Sequence, residues 1–206
     1  MPNRVVPPPP ATLGSGRRRP LHLTAAALVA AAGFLLAGQG ILIHAKAALA
    51  QVLLERAFSR SLAEGAPVKP WSWADTWPIA RLSVPRLGES AIVLASGSGQ
   101  ALAFGPGHLA GTPEPGDAGT SVIAAHRDTH FDFLGRVEIG DEIIVDRADG
   151  ETRRFRVSGS RVVRYDAFGI DPGAGVHRLA LTTCWPLGAV TSGPLRFVVE
   201  AELVTD

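Results

Sequence analysis

Hydrophobic and polar positions along this chain follow three successive rhythms. Residues 21–43, LHLTAAALVAAAGFLLAGQGILI, are apolar almost throughout and contain no Lys, Arg, Asp or Glu. That is about the ~20 residues a helix needs to cross a ~30 Å hydrocarbon core. The next stretch, AKAALAQVLLERAFSRSLAEG, returns Leu49, Val52, Leu53 and Phe58 near helical spacing, and Gly65 with Pro67 supplies a stop. It reads as a helical stalk that continues the span. From residue 79 the period drops to two, in short runs broken by Gly and Pro. Strands are predicted over 79–84, 91–94, 121–125, 142–147, 152–163, 178–183 and 195–203. Asp149-Gly150 joins two of them as a hairpin turn, and residues 132–136 read as a helical turn. Seven or eight strands at this spacing predict an all-β domain, either a small closed barrel or a sandwich.

Charge sharpens the division. Residues 1–76 carry eight Lys or Arg against three acids, a net of +5; the rest carries twelve against sixteen, a net of −4, with no lysine. An acidic domain of this kind argues against a nucleic-acid-binding surface. Arg17, Arg18 and Arg19 stand directly before the apolar segment and only Lys46 closely follows it. The positive-inside rule then keeps the N-terminus in the cytoplasm and sends everything after residue 43 outside. Ala45-Lys46-Ala47 and Ala48-Leu49-Ala50 offer small-x-small cleavage sites, so a signal peptide is the alternative; its apolar core is usually ~7–15 residues, shorter than this one. The expected organisation is a disordered cytoplasmic tail over 1–20, a single-pass signal-anchor helix over 21–43, a stalk and Trp-rich linker over 44–76, and one folded domain over 77–206. The stretch 70–78, where the linker meets the domain, holds Trp71, Trp73 and Trp77, three of the four tryptophans, and these rings are expected to pack the linker onto the domain.

The outside location changes the reading of Cys184, the only cysteine. It cannot form an intramolecular disulfide, and a lone thiol in an oxidising compartment is a liability unless its reactivity is used. Cys184 ends the apolar strand HRLALTTC. Arg196 lies in the next strand, beyond the connection 185–194, and an antiparallel pair would set the two side by side at one rim. His126 ends another strand, SVIAAH. A thiol needs a base or a cation to yield thiolate, a histidine can pass a proton to a departing amine, and a guanidinium can stabilise the oxyanion of a tetrahedral intermediate. The residues alone thus point to a thiol acyl-transferase or peptidase on the outer face of a membrane.

The order of His126, the Leu181-Thr182-Thr183-Cys184 run and Arg196 twelve residues on resembles the sortases, membrane-anchored cysteine transpeptidases with an eight-stranded barrel. The likeness covers roughly 77–206. Leu-Thr-Thr-Cys-Trp-Pro and Gly193-Pro194-Leu195-Arg196 look most like the Gram-negative class (class GN), which implies an inner-membrane anchor with the domain on the periplasmic side. One departure is Ala180, where the motif usually begins with Thr. The resemblance implies a closed eight-stranded β-barrel, Cys184 as nucleophile, His126 as acid/base and Arg196 as the oxyanion or substrate-positioning arginine. It further implies Thr183 and Trp185 as peptide contacts, a secreted protein with a C-terminal sorting motif as substrate, and an amine acceptor.

Other chemistries fit less well. His126 and His130 are four apart, but HRDTH lacks a third metal ligand; His130 is instead a surface residue or a second candidate base. Asp166 and Asp171 are too sparse for a calcium site of 6–8 oxygens. No dinucleotide or phosphate loop follows a strand, so no cofactor and no metal is expected. L,D-transpeptidases resemble a Ser-His-Gly-Cys run with Arg two residues after Cys, where this chain has Pro186; papain-type hydrolases place Cys before His. A catalytically silent, membrane-tethered binding domain on the same barrel is the remaining alternative.

Overall fold

The computed structural model describes residues 19–205 except 171, 172, 174, 190 and 192. The expected tail therefore lies almost wholly outside the described residues, as does Asp171. The chain divides into two units, Met1–Lys46 and Ala47–Asp206. In the first, helix α1 (Arg19–Glu64) begins; it is long and apolar enough to cross a membrane, and its side chains there are almost all exposed.

The second unit is a closed barrel of eight strands: β1 (Pro78–Val84), β2 (Glu89–Leu94), β3 (Gly107–His108), β4 (Gly119–Ala124), β5 (Glu142–Arg147), β6 (Thr152–Arg164), β7 (His177–Trp185) and β8 (Leu195–Leu203). They follow one another round the barrel as β1-β2-β3-β4-β7-β8-β6-β5 and close through antiparallel β5–β1. Closure leaves no edge to pair with another chain. The period-two pattern has its expected consequence: along β1 buried and half-buried residues alternate without a break. Leu82, Val145, Phe155, Leu181 and Val199 fill the interior with Leu134 from the turn Asp132–Arg136 and Phe131 just before it. Each such side chain contributes roughly 1.5–3 kcal/mol by leaving water. Seven strands match the sequence reading to within a few residues. The eighth, β3, has only two residues, too few to show a period. Gly107 sits there beside Leu94 of β2, and a Cβ on it would run into the Ser96 carbonyl.

The stretch read as a stalk is part of this unit. Leu54 and Phe58 are buried among Ile92, Leu94 and Ala101, Arg81 pairs with Glu55 and lies 5.1 Å over the Phe58 ring, and Gln51 donates to the Phe104 carbonyl at 2.8 Å. The helix ends where Gly65 takes φ +64°, a left-handed conformation that glycine adopts freely. Of the linker rings, Trp71 packs edge-on against Phe104 (5.1 Å between centroids), whereas Trp73 is 83% exposed.

One ion pair joins exposed Arg86 to buried Asp141. Arg86, in the turn Pro85–Leu87, donates Nη2 to Asp141 Oδ2 and to the Arg136 carbonyl, both at 2.7 Å, and the Glu138 N–H donates to the same carboxylate at 2.8 Å. The Arg86 hydrogen bond, ahead of the Glu138 N–H, holds the Asp141 carboxyl below the usual carboxylate range although burial opposes this. A carboxylate whose folded pKa is depressed stabilises above its unfolded value, about 3.9, and loses that contribution as pH falls through the folded value. Asp141→Asn is therefore expected to lower the melting temperature at pH 7 by roughly 2–4 °C, with the gap to wild type closing below about pH 4. Thermal melts from pH 3 to 7 check this; a gap constant across that range would contradict it.

Candidate active site

Three adjacent strands carry the candidate catalytic residues. β4 runs parallel to β7 with Ala124 opposite Thr182, and β7 runs antiparallel to β8 with Cys184 opposite Arg196. Past the end of β4 the pairing continues: the Ala125 N–H donates to the Thr182 carbonyl at 3.1 Å, and Thr183 Oγ1 donates to the Ala125 carbonyl at 2.8 Å. His126, two residues beyond Ala124, therefore stands level with Cys184, two beyond Thr182. Neighbouring strands lie about 4.8 Å apart and side chains alternate faces, so His126, Cys184 and Arg196 form one row on one face. Val122, Ala180 and Val198 continue that face as a buried cluster under Leu109, Phe168 and Ile170.

His126 is exposed and Cys184 half-buried, so both can be reached from solvent. Arg196 Nη1 donates to the carbonyls of Gly193 and Leu195, each at 2.8 Å, and its guanidinium lies 5.8 Å from the Tyr165 ring centroid. Beside the row the face opens into a groove of about 420 Å³, walled by Leu109, Val122, Tyr165, Phe168, Ile170 and Thr182; Arg196 is its one charged lining residue among those described. A second cavity, about 180 Å³, is lined by Trp77, Glu114, Arg147 and Asp149 and contains none of these side chains.

Strand alternation separates the remaining candidates. Thr183 faces the interior and is 2% exposed; its hydroxyl is committed to Ala125, so it ties β4 to β7 and has no surface to offer a peptide. Trp185, on the same face as Thr183, stacks on Phe197 with centroids 5.6 Å apart and remains half-buried. Burial, then the neighbouring His126, hold the His130 imidazole below the usual histidine range, while Asp132 opposes this. Asp166 pairs with Arg164. Among the described residues no three His, Cys, Asp or Glu side chains stand close enough to hold a metal ion.

The sequence reading did not single out Tyr165 or Arg127. Tyr165 is the only tyrosine and directly follows the long strand β6, a position that could have flagged it. Arg127 directly follows His126 and is 9% exposed; nothing local distinguishes it from a surface arginine.

The chain and its fold have known counterparts. A family model of the sortase domain matches residues 82–204, more than half of the chain. Sortase D of Bacillus subtilis is 28% identical over 124 residues, 60% of this chain and 63% of that protein, so the match leaves over a third of the relative's length unspanned. Sortase A from Corynebacterium diphtheriae is 30% identical with a TM-score of 0.57, covering 65% of this chain and 63% of that one. A Clostridium perfringens Sortase D5 transpeptidase, 17% identical, shares the fold with a TM-score of 0.63 over 77% of this chain and 99% of its own. The closed barrel and the family match across it agree: the chain belongs to the sortase family.

Proposed function

We propose that this sortase is a membrane-anchored cysteine transpeptidase that cleaves a C-terminal sorting signal on secreted proteins and transfers the acyl group to an amine. The observation that supports this most is the row of His126, Cys184 and Arg196, whose Arg196 also lines an apolar groove on the same face. An extended, uncharged peptide segment suits that groove. Its scissile carbonyl is attacked by Cys184 Sγ, forming an S–C bond; the C–N bond breaks and His126 delivers the proton to the departing amine. Arg196 donates to the oxyanion of the tetrahedral intermediate through its other guanidinium N–H groups, while Nη1 keeps its hold on the Gly193 and Leu195 carbonyls. An acceptor amine then attacks the thioester, gives its proton to His126 and expels the Cys184 thiolate. Thr183 acts as a positioning residue through Ala125, and half-buried Trp185 borders the nucleophile. The Leu-Thr-Thr-Cys-Trp-Pro and Gly-Pro-Leu-Arg runs support the Gram-negative class.

A direct test incubates the full-length chain, in detergent micelles, with peptides randomised at five positions and with hydroxylamine as acceptor. Hydroxamates of a narrow set of peptides, with an acyl adduct on Cys184 in the intact mass, are expected. Absence of both the adduct and the hydroxamates would sink the reading.

The anchor has its own consequence. With Arg17–Arg19 retained inside, the domain acts on the outer side of the cytoplasmic membrane. A reporter enzyme active only outside the cytoplasm is expected to work when fused after residue 60. Activity restricted to cytoplasmic reporters would reverse the orientation.

A further inference from the structure

Arg127 is a buried cation that the mechanism above does not use. Its Nη2 donates to the Thr191 carbonyl at 2.8 Å, and its buried Nη1 has no acceptor among the described residues. No carboxylate pairs with it there. Thr191 belongs to the β7–β8 connection, and two residues further on the Gly193 carbonyl accepts from Arg196 Nη1. The segment that follows Arg127 also leans on this connection: a Cβ on Gly135 would collide with Leu187. Two guanidiniums thus hold the same short connection by its carbonyls, one beside His126 in sequence and the other Arg196 itself.

A buried charge without a counter-ion is costly, and an apolar side chain of similar volume usually serves packing as well or better. Arg127 therefore calls for a reason other than stability. We infer that Arg127 is a positioning residue for acyl transfer: through Thr191 it fixes the β7–β8 connection, and through Gly193 the Arg196 guanidinium, relative to His126. This rests on the reading of the active site given above.

The experiment compares Arg127→Met, Arg196→Ala and the double variant as full-length chains in detergent, with the library-selected peptide and hydroxylamine as substrates. Hydrogen exchange and melting temperature are read on the same samples. In Arg127→Met, kcat is expected to fall roughly ten- to a hundredfold, the scale of a lost hydrogen bond from a charged donor. KM for the peptide should change less than about threefold. Amides of the β7–β8 connection should exchange faster while the melting temperature holds or rises. In the Arg196→Ala background Arg127→Met should cost nothing further. Full additivity with Arg196→Ala, or a fall in melting temperature with unchanged exchange in the connection, would overturn the proposal. Arg127→Lys, which keeps the cation but loses the fork, should show the same non-additivity with a smaller loss, and it serves if the Met variant does not fold. Should the wild-type chain transfer no peptide, the active-site reading has failed; the exchange data then decide alone, and unchanged exchange in Arg127→Met removes the tie.

Discussion

Cys184→Ala is expected to lower acyl transfer by about 10⁴-fold or more, the scale seen when a covalent nucleophile is removed, while the barrel stays folded. The substitution removes one sulfur atom from a half-buried position at the end of β7, where neither the interior nor a hydrogen bond of the sheet depends on it. Without a thiol no thioester can form, and His126 and Arg196 are left to orient a bound peptide that nothing attacks. Because Cys184 is the only cysteine, methanethiosulfonate labelling should also vanish, which verifies the variant by mass. His126→Ala provides the complementary reading. Labelling of Cys184 should slow, since the neighbouring base no longer favours the thiolate. Transfer by Cys184→Ala above about one-hundredth of wild type would mean that another group is the nucleophile. Unchanged labelling in His126→Ala would mean an unactivated cysteine, and the silent binding domain would become the better account.

Arg196→Ala is expected to cost about 10²–10³-fold in kcat, the loss measured when one oxyanion donor is removed. Its described contacts are the carbonyls of Gly193 and Leu195 and the Tyr165 ring, all at the rim, so the fold should hold. Arg196→Lys should recover little, because an ammonium cannot reproduce a planar fork of donors in the same place. The labelling rate of Cys184 separates this role from that of His126: a residue acting on the oxyanion changes turnover and leaves thiol reactivity near wild type. Wild-type kcat in either variant would remove Arg196 from the mechanism. A loss confined to KM would make it a binding residue only.

Much of this protein could be read along the chain because the relevant signals are local. Alternation in 79–84 and 195–203 marked strands, and β1 and β8 occupy those stretches. Asp149-Gly150 marked the hairpin, where Gly150 takes φ +91°. The row at the rim was legible only in part. Cys184 and Arg196 lie on consecutive strands, so a hairpin-like pairing predicts their adjacency. His126 comes from a strand 58 residues away by the Thr183–Ala125 hydrogen bond, and its candidacy rested on residue type and family resemblance.

Other features carry no local mark at all. The two-residue strand β3 is too short for a period. The stalk's apolar positions signalled a helix but not that Leu54 and Phe58 would meet Ile92 and Leu94. Thr183, expected at the peptide, turned inward because alternation gives every second residue of β7 to the interior. Arg127 reads as one more surface arginine until burial is known.

By itself the sequence determined the apolar span with its flanking charge, the set of long strands, and which single thiol could serve as a nucleophile. Each follows from neighbours within a few residues: continuous apolarity, period-two alternation, residue count. The tertiary structure alone decided which strand lies beside which, and so which side chains share a face. Parallel pairing of β4 with β7 depends on closing a long loop and sealing a barrel interior; its register is set by the packing of Ile123, Leu181 and Val199 in one core, and no short window of sequence contains those contacts.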